Sequence, residues 1–413
     1  MRNIAIFSLI LLFSLWAGSA VAQQDSVYVR SGDTIRYTYT PVTLYLPEES
    51  SNIEESQEEK KKKNFFQSVY RYFQESAEDK TFEKPIDISV IGGISYSPST
   101  SAGIALMAVG QYRIDRSDSI TKPSYLSLYG TVSLTGYYSV GIEGKTFLPR
   151  KRGHFDYEVA FSSQPTDFWG VGYEAASTNR VSSFVRKRVM VDFAYLYPIA
   201  RNTFIGTLAD FNFTRGKNFT RKDYLPAGED DSYTATGMGV VIEYDSRDVV
   251  TNPSRGGYIS LREKIYPKGL GDCGSTLWET TLRADYYQRL WRSGVFALDL
   301  YAELHSEGTP WFMLSRLGGS YRMRGYYEGR YTDNNMILVQ AELRQRIWHR
   351  LGCVVWAGAG NIFDDFRRFD WSHTLPNYGV GLRWEFKKGV NVRIDYGFGR
   401  KTHGLILNIN EAF

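Results

Sequence analysis

The sequence predicts an all-β protein: an antiparallel transmembrane β-barrel of about sixteen strands, preceded by a short, mostly irregular segment. Three observations carry that prediction. Along the closing ten residues, Leu405, Leu407, Ile409 and Phe413 fall on one side of an extended strand and Asn408 and Asn410 on the other. This is a period of two that a helix cannot use, with Ile406 and Glu411 as the exceptions. From Ile86 onward, turn signals recur at the spacing of membrane strands and the segments between them alternate. Beyond the first residues, no stretch reaches the roughly 18 uninterrupted apolar residues of a transmembrane helix, yet the chain holds 30 Tyr, 24 Phe and 38 Gly. A negative mean hydropathy fits such a barrel, because only every second strand residue meets lipid. A soluble all-β protein is the alternative.

Taken in order, residues 1–22 read as a secretory signal peptide. Arg2 precedes the apolar run Ile4 to Trp16, and Ala20-Val21-Ala22 makes a small-residue cleavage site ahead of Gln23. The run is too short for a membrane span, and no Cys follows the cut to take a lipid. Residues 23–85 are a polar segment. Glu54, Glu55, Glu58 and Glu59 run into Lys60 to Lys63 in linker fashion. Within it, Phe65, Val69, Tyr72 and Phe73 line one face of a candidate short helix over 64–77. Such a helix either packs on the barrel mouth or grips the inner leaflet.

Residues 86–413 are the barrel. Near its end, Val380, Leu382, Trp384 and Phe386 alternate with Gly379, Gly381, Arg383 and Glu385. After a tight Lys387-Lys388-Gly389 turn, Val390, Val392, Ile394, Tyr396 and Phe398 alternate with Asn391, Arg393, Asp395 and Gly397. Arg393 and Asp395 cannot face lipid cheaply, so that side points to a wet lumen. Earlier, Trp278, Leu282 and Tyr286 oppose Glu279, Arg283 and Asp285, and Phe296, Leu298 and Leu300 oppose Ala297, Asp299 and Tyr301.

Sixteen strands with both termini in the periplasm put the long polar connections, Ser162 to Arg180, Arg215 to Tyr233, Glu307 to Thr332 and Phe363 to Asn377, on the outside. The short ones, Pro149 to Gly153, Tyr197 to Asn202 and Lys387 to Gly389, fall on the inside. That asymmetry belongs to outer-membrane barrels.

The chemistry of catalysis is sparse. A net charge of +4, spread along the chain, makes nucleic acid a poor partner. Cys273 and Cys353 fall on well-separated strands, which disfavours a disulfide, and neither has metal-ligand neighbours. The five histidines are His154, His305, His349, His373 and His403. His305-Ser306, with Asp299 nearby, brings a membrane lipase to mind, but no Gly-x-Ser-x-Gly elbow accompanies it. We therefore expect no enzyme, no cofactor and no metal site of recognisable spacing. Asp245, Arg247 and Asp248 read as a polar inner turn, with Asn252-Pro253 as its turn signal, rather than as a cation site.

Two stretches go beyond a generic barrel. One runs from Leu317 to Arg330 and contains Gly318-Gly319-x-x-x-x-Arg324-Gly325-Tyr326, followed by Asn335 to Arg344 ending in Ala-Glu-Leu-Arg. The other runs from Tyr244 to Gly257 and includes Asp245, Arg247, Asp248 and Gly257. With the terminal-strand signal Leu405, Leu407, Ile409 and Phe413, these resemble the barrel of the outer-membrane protein insertase superfamily, which includes BamA, TamA and the two-partner secretion transporters. The resemblance covers Ile86 to Phe413 and is strongest after Tyr244.

In that family the Arg-Gly-Phe/Tyr loop folds back into the barrel and its Arg meets lumen acids on the following strands. The resemblance thus implies that role for Arg324, Gly325 and Tyr326. An Arg inside a barrel needs carboxylate partners. Alternation from Ile337, Val339 and Leu343 points Gln340, Glu342 and Arg344 inward, which makes Glu342 the expected partner. The alternative is an Arg324 exposed on a surface loop.

There are departures from the family pattern. Where the family commonly has an Asp on the next strand, Val355 to Asn361 carries Gly358, which implies a single-carboxylate clasp. No βααβ pattern of a POTRA domain precedes the barrel, so client capture by that domain's strand augmentation has no evident counterpart. The resemblance implies a part in assembly or translocation of outer-membrane proteins in a Gram-negative outer membrane. Its partners would be lipid, other assembly proteins and unfolded barrel clients. The implied mechanism is a seam that opens laterally between the strand near Ile88 to Tyr96 and Gly404 to Phe413. Gly92, Gly93 and Pro98 thin that first strand. A passive pore or a plugged structural barrel is the alternative.

Overall fold

Polar and apolar residues trade their usual places in this chain. Arg324, Arg393, Asp299 and Asp395 are wholly buried, whereas Ile94 is 74% and Ile104 63% exposed. A water-soluble domain pays heavily for both; a barrel with hydrocarbon outside and polar groups within requires both. The computed structural model describes residues 81–413 apart from 119–120, 179, 226–229 and 388–389. The signal-peptide segment 1–22 and the candidate helix 64–77 lie outside the described residues.

The barrel is built from β1 (Asp87–Ser97), β2 (Ser101–Tyr112), β3 (Ser124–Ser133), β4 (Tyr138–Phe147), β5 (His154–Phe168), β6 (Ser182–Ala200), β7 (Thr203–Lys217) and β8 (Ser232–Asp245). It continues through β9 (Gly256–Tyr266), β10 (Leu277–Trp291), β11 (Gly294–His305), β14 (Asn335–Trp348), β15 (Leu351–Phe363), β16 (Leu375–Lys387), β17 (Val390–Gly399) and β18 (Thr402–Ile409). Consecutive barrel strands pair antiparallel, and β18 returns to β1 to close a ring of sixteen. The two remaining strands, β12 (Ser315–Leu317) and β13 (Tyr331–Asp333), pair with each other inside the long connection between β11 and β14. Among the described residues no helix is long and apolar enough to cross a membrane; the crossing is done by strands.

Pleating explains the exchange of faces. Successive side chains of a strand point to opposite sides. On β14, buried Leu338, Gln340, Glu342 and Arg344 alternate with Ile337, Val339 and Leu343. On β17, buried Arg393 and Asp395 alternate with outward Ile394 and Tyr396. At one end of the barrel most connections are tight, as in the two residues 201–202 between β6 and β7, where Asn202 takes the left-handed conformation (φ 60°) a tight hairpin needs, although 113–123 and 246–255 at that end are longer. At the other end 98–100, 134–137 and 400–401 are short, but 169–181, 218–231, 267–276, 306–334 and 364–374 are long, and 306–334 is the longest. The wall is uneven: β6 has 19 residues and β18 only 8, against the roughly 9–11 that cross a bilayer.

Two sequence expectations are corrected. Cys273 is not on a strand but in the connection between β9 and β10, buried, with the Tyr233 hydroxyl donating to its Sγ at 3.0 Å. Cys353 is on β15, and both are free thiols. The closing strand ends at Ile409 and does not run on to Phe413. Asn410 adopts φ +67°, a left-handed turn that breaks the extended path. Beyond it Glu411, Ala412 and Phe413 are buried inside the barrel. Phe413 therefore leaves the lipid-facing row of Leu405, Leu407 and Ile409. Ile406, which broke the sequence alternation, points inward with no exposure.

Candidate functional site: the lumen loop and the seam

The connection 306–334 folds into the lumen because its glycines permit turns other residues resist. Gly318 and Gly325 sit at φ +111° and +101°, conformations that L side chains rarely adopt. Gly325 is also in backbone contact with β17: a Cβ there would lie 2.6 Å from the carbonyl carbon of Gly397. That close approach delivers Arg324 to the strand wall.

Arg324 is fully buried. Its Nη1 donates to Asp395 Oδ2 at 2.8 Å and its Nη2 donates to Glu342 Oε1. Its guanidinium lies 3.7 Å over the Trp356 ring, and its own main-chain oxygen accepts from Asn377 Nδ2. Trp356 in turn donates to Asn377 Oδ1 at 2.9 Å, so one side chain from β15 and one from β16 brace both ends of the arginine. Tyr326, also without exposure, donates to the Pro376 carbonyl and accepts from the Arg400 amide, each at 2.7 Å. Burial pushes its hydroxyl pKa up to about 12.

The single-carboxylate clasp is overturned. Glu342 on β14 and Asp395 on β17 both hold Arg324, and Asp395 also accepts from Arg383 Nη1 and from Arg393 Nη1 (2.8 Å). The acid could not stand at Gly358, because a Cβ there would meet Val339 O at 2.7 Å and Gln340 Cβ at 2.8 Å. The second carboxylate comes instead from two strands further round the ring. The rest of the loop is anchored in the same way. Arg322 forks onto Asp299 of β11 at 2.9 and 3.1 Å, and Arg393 Nη2 donates to the Ser320 carbonyl at 2.6 Å. Bidentate and shared guanidinium–carboxylate contacts of this sort are the strong ones. Losing one member leaves an unpaired charge among buried side chains.

The buried tail joins this network. Arg383 Nε donates to Glu411 Oε2 at 2.8 Å, Asn391 Nδ2 donates to Glu411 Oε1 at 2.5 Å, and Arg344 Nη2 donates to the Phe413 main-chain oxygen at 2.9 Å. The Phe413 ring packs toward Tyr287 under the Arg344 guanidinium.

Ring closure between β1 and β18 is sparse. β1 and β18 share one register pair, Tyr96 with Leu407. Every other neighbouring pair of barrel strands shares at least eight, as β17 and β18 do from Val392↔Ile409 to Gly399↔Thr402. Among the described residues, Ile91 to Ser95 of β1 have no register partner on β18.

The inner turn 246–255 between β8 and β9 is closed by its own side chains. Arg247 forks onto Asp245 with both bonds at 2.9 Å and stacks 4.2 Å from the Tyr258 ring. Asp248 accepts from the amides of Val249, Ser254 and Arg255 and from the Ser254 hydroxyl. Burial works against its ionisation, but those donors outweigh it and hold its pKa below the usual carboxylate value. The carboxylates are thus occupied by protein donors, and Gly257 closes the turn by accepting from the Ser246 amide at 2.9 Å. His305 and Ser306 are spent on anchoring: His305 Nδ1 meets the Asn334 carbonyl at 2.7 Å, and Ser306 Oγ accepts from the Trp278 amide at 3.0 Å.

Sequence reasoning missed Trp356, Asn377 and Glu411 as members of the network. Trp356 was the one with a signal, an aromatic on the inward parity of β15.

A comparison with curated proteins returns no match. Among solved structures, the chain is similar to BamA from Haemophilus ducreyi lacking POTRA domains 1–3, with 13% identity and a TM-score of 0.53, covering 79% of this chain and 70% of that one. It is similar to CdiB from Acinetobacter baumannii, with 12% identity and a TM-score of 0.51, covering 79% of this chain and 60% of that one. CdiB from Escherichia coli gives 13% and 0.52, with coverage of 79% and 63%. The chain thus spans less than two thirds of either CdiB, and at these identities the likeness speaks to the fold. The profile of the Omp85 superfamily domain matches residues 122–410, well over half of the sequence. With its sixteen-stranded ring and its lumen loop, the chain belongs to the Omp85 superfamily.

Proposed function

We propose that this barrel inserts or translocates other outer-membrane proteins, working at the β1–β18 seam from the outer membrane with its short turns and both termini in the periplasm. The observation that carries the reading is the single register pair Tyr96↔Leu407. A barrel is stable because closure removes every strand edge. A ring closed by one pair keeps an edge in reserve, and such an edge accepts an incoming extended strand through main-chain hydrogen bonds. The lumen loop supports this reading, because its clasp ties together β11, β14, β16 and β17. That half of the wall then stays rigid while β1 moves. Family membership supports it as well, since Omp85 barrels act as insertases or transporters rather than as enzymes.

The test is client folding. The purified barrel is placed in liposomes, an unfolded outer-membrane barrel is added, and protease-resistant client is followed with time. The proposal expects faster client folding than in liposomes alone. No acceleration, together with a steady voltage-independent conductance in planar bilayers that Arg324→Ala leaves unchanged, overturns it in favour of a passive pore.

A further inference from the structure

Near the short-turn end of the lumen, β5 and β8 bring together three side chains that the sequence holds far apart. His154 and Asp156 stand one pleat apart on β5, and Glu243 comes from β8. Nε2 of His154 lies 3.6 Å from Asp156 Oδ1 and 4.0 Å from Glu243 Oε1. The three donor atoms lie within 4.8 Å of one another.

The histidine is the informative member. It is 1% exposed and walled by the rings of Phe147 (5.2 Å) and Phe204 (4.8 Å). Yet neither of its ring nitrogens makes a hydrogen bond, and Oδ1 of Asp156 makes none either. Buried polar atoms in folded proteins are almost always satisfied, so an imidazole and a carboxylate oxygen left unsatisfied toward a common point call for an explanation.

We infer that His154, Asp156 and Glu243 form a binding site for a divalent transition-metal cation, of which Zn²⁺ is the test case. One imidazole and two carboxylates are a donor set that zinc accepts, at about 2.0–2.2 Å from each atom, a geometry that asks the three side chains to converge slightly. The Tyr258 hydroxyl donates to the other oxygen of Glu243 at 3.2 Å, the kind of outer contact that orients a ligating carboxylate.

Lys145 is the competitor. Its ammonium lies 3.1 Å from Asp156 and 3.3 Å from Glu243 and offsets part of the charge a dication would otherwise meet. It also borders a lumen cavity of about 540 Å³, into which it can withdraw. Metal and ammonium therefore exclude one another, and removing the lysine strengthens metal binding.

The test uses the full barrel folded in detergent and stripped with chelator. It is titrated with ZnCl₂ by calorimetry, with bound metal counted by elemental analysis. The site predicts saturation at one equivalent. Affinity should fall by about tenfold or more in His154→Gln and Glu243→Gln, taking as a floor what lost supporting contacts cost metal sites. It should rise in Lys145→Gln and stay unchanged in His403→Ala. Heat-modifiable mobility on gels confirms that each variant is folded. Absence of saturable binding, equal loss in His403→Ala, or weaker binding in Lys145→Gln overturns the inference. If the histidine variant does not fold, the opposite responses of Glu243→Gln and Lys145→Gln decide it.

Discussion

Arg324, from a loop, and Asp395, from the next-to-last strand, meet at 2.8 Å with neither side chain exposed. Asp395 collects three guanidiniums, those of Arg324, Arg383 and Arg393, while Glu342 collects Arg324 and Arg344. The two acids are therefore not equivalent. Removing one partner of a buried ion pair costs about 3–5 kcal/mol. Asp395→Ala, which takes the carboxylate from Arg393 and leaves Arg324 and Arg383 with one acid each, should lie at the top of that range, and Arg324→Met, whose partners keep other arginines, at the bottom. Reversible urea unfolding of the barrel in lipid vesicles measures both. Equal and negligible losses would show that the clasp does not hold the loop.

Loop docking should depend on Gly325 as much as on the arginine beside it. An added methyl meets the Gly397 backbone at φ +101°, and left-handed geometry alone costs roughly 1–2 kcal/mol. Gly325→Ala should free residues 318–330 to trypsin, which cuts after Arg322, Arg324 or Arg330, while the strands stay resistant. Mass spectrometry of the limited digest reads the outcome, and a loop as protected as in the unmodified protein contradicts it.

Acidity should tighten the same loop. Burial raises the Asp333 carboxyl to about 6, although its hydrogen bond from the Asn334 amide pulls the other way. A carboxyl whose folded pKa is raised adds stability that is fully present below its unfolded value near 3.9 and is lost as pH rises through about 6. Amide exchange across 315–333, corrected for intrinsic rates, should be slower at pH 5 than at pH 7.5. Asp333→Asn should abolish the difference.

The buried tail and the seam compete for the same residues. If β18 continued along β1 in the register of Tyr96↔Leu407, Ala412 would face Ile91. Instead Glu411 is held by Arg383 and Asn391. Glu411→Ala should let the tail swing out. In a Cys273→Ser, Cys353→Ser background, an Ile91→Cys, Ala412→Cys pair should then form a disulfide that the parent with Glu411 intact forms slowly. Equal rates in both would mean that the glutamate does not restrain the tail.

The fold was legible because period-two alternation survives in most strands. Arg393 and Asp395 between Ile394 and Tyr396 could face only a lumen, and the longest connections fell at one end by parity, though 113–123 and 246–255 at the opposite end are longer than the alternation implied. Within the site, Glu342 followed from the alternation on β14. Asp395 as its companion did not, since β14 and β17 approach only once the ring has closed and the intervening glycines allow it. Gly358 announced a missing acid without saying where the replacement stood. The inward tail depends on one left-handed residue, Asn410, which a period-two count cannot register. Cys273 lies within Pro267-Lys-Gly-Leu-Gly-Asp-Cys-Gly-Ser-Thr276, a run of turn-forming residues that argues for a connection rather than a strand.

The central claim is that β1 parts from β18 to admit another chain. The direct measurement locks that seam with Tyr96→Cys and Leu407→Cys in the cysteine-free background and follows folding of a client barrel in liposomes, oxidised and then reduced. The account predicts that oxidation stops client folding and reduction restores it. Client folding at an undiminished rate with the disulfide fully formed would contradict it.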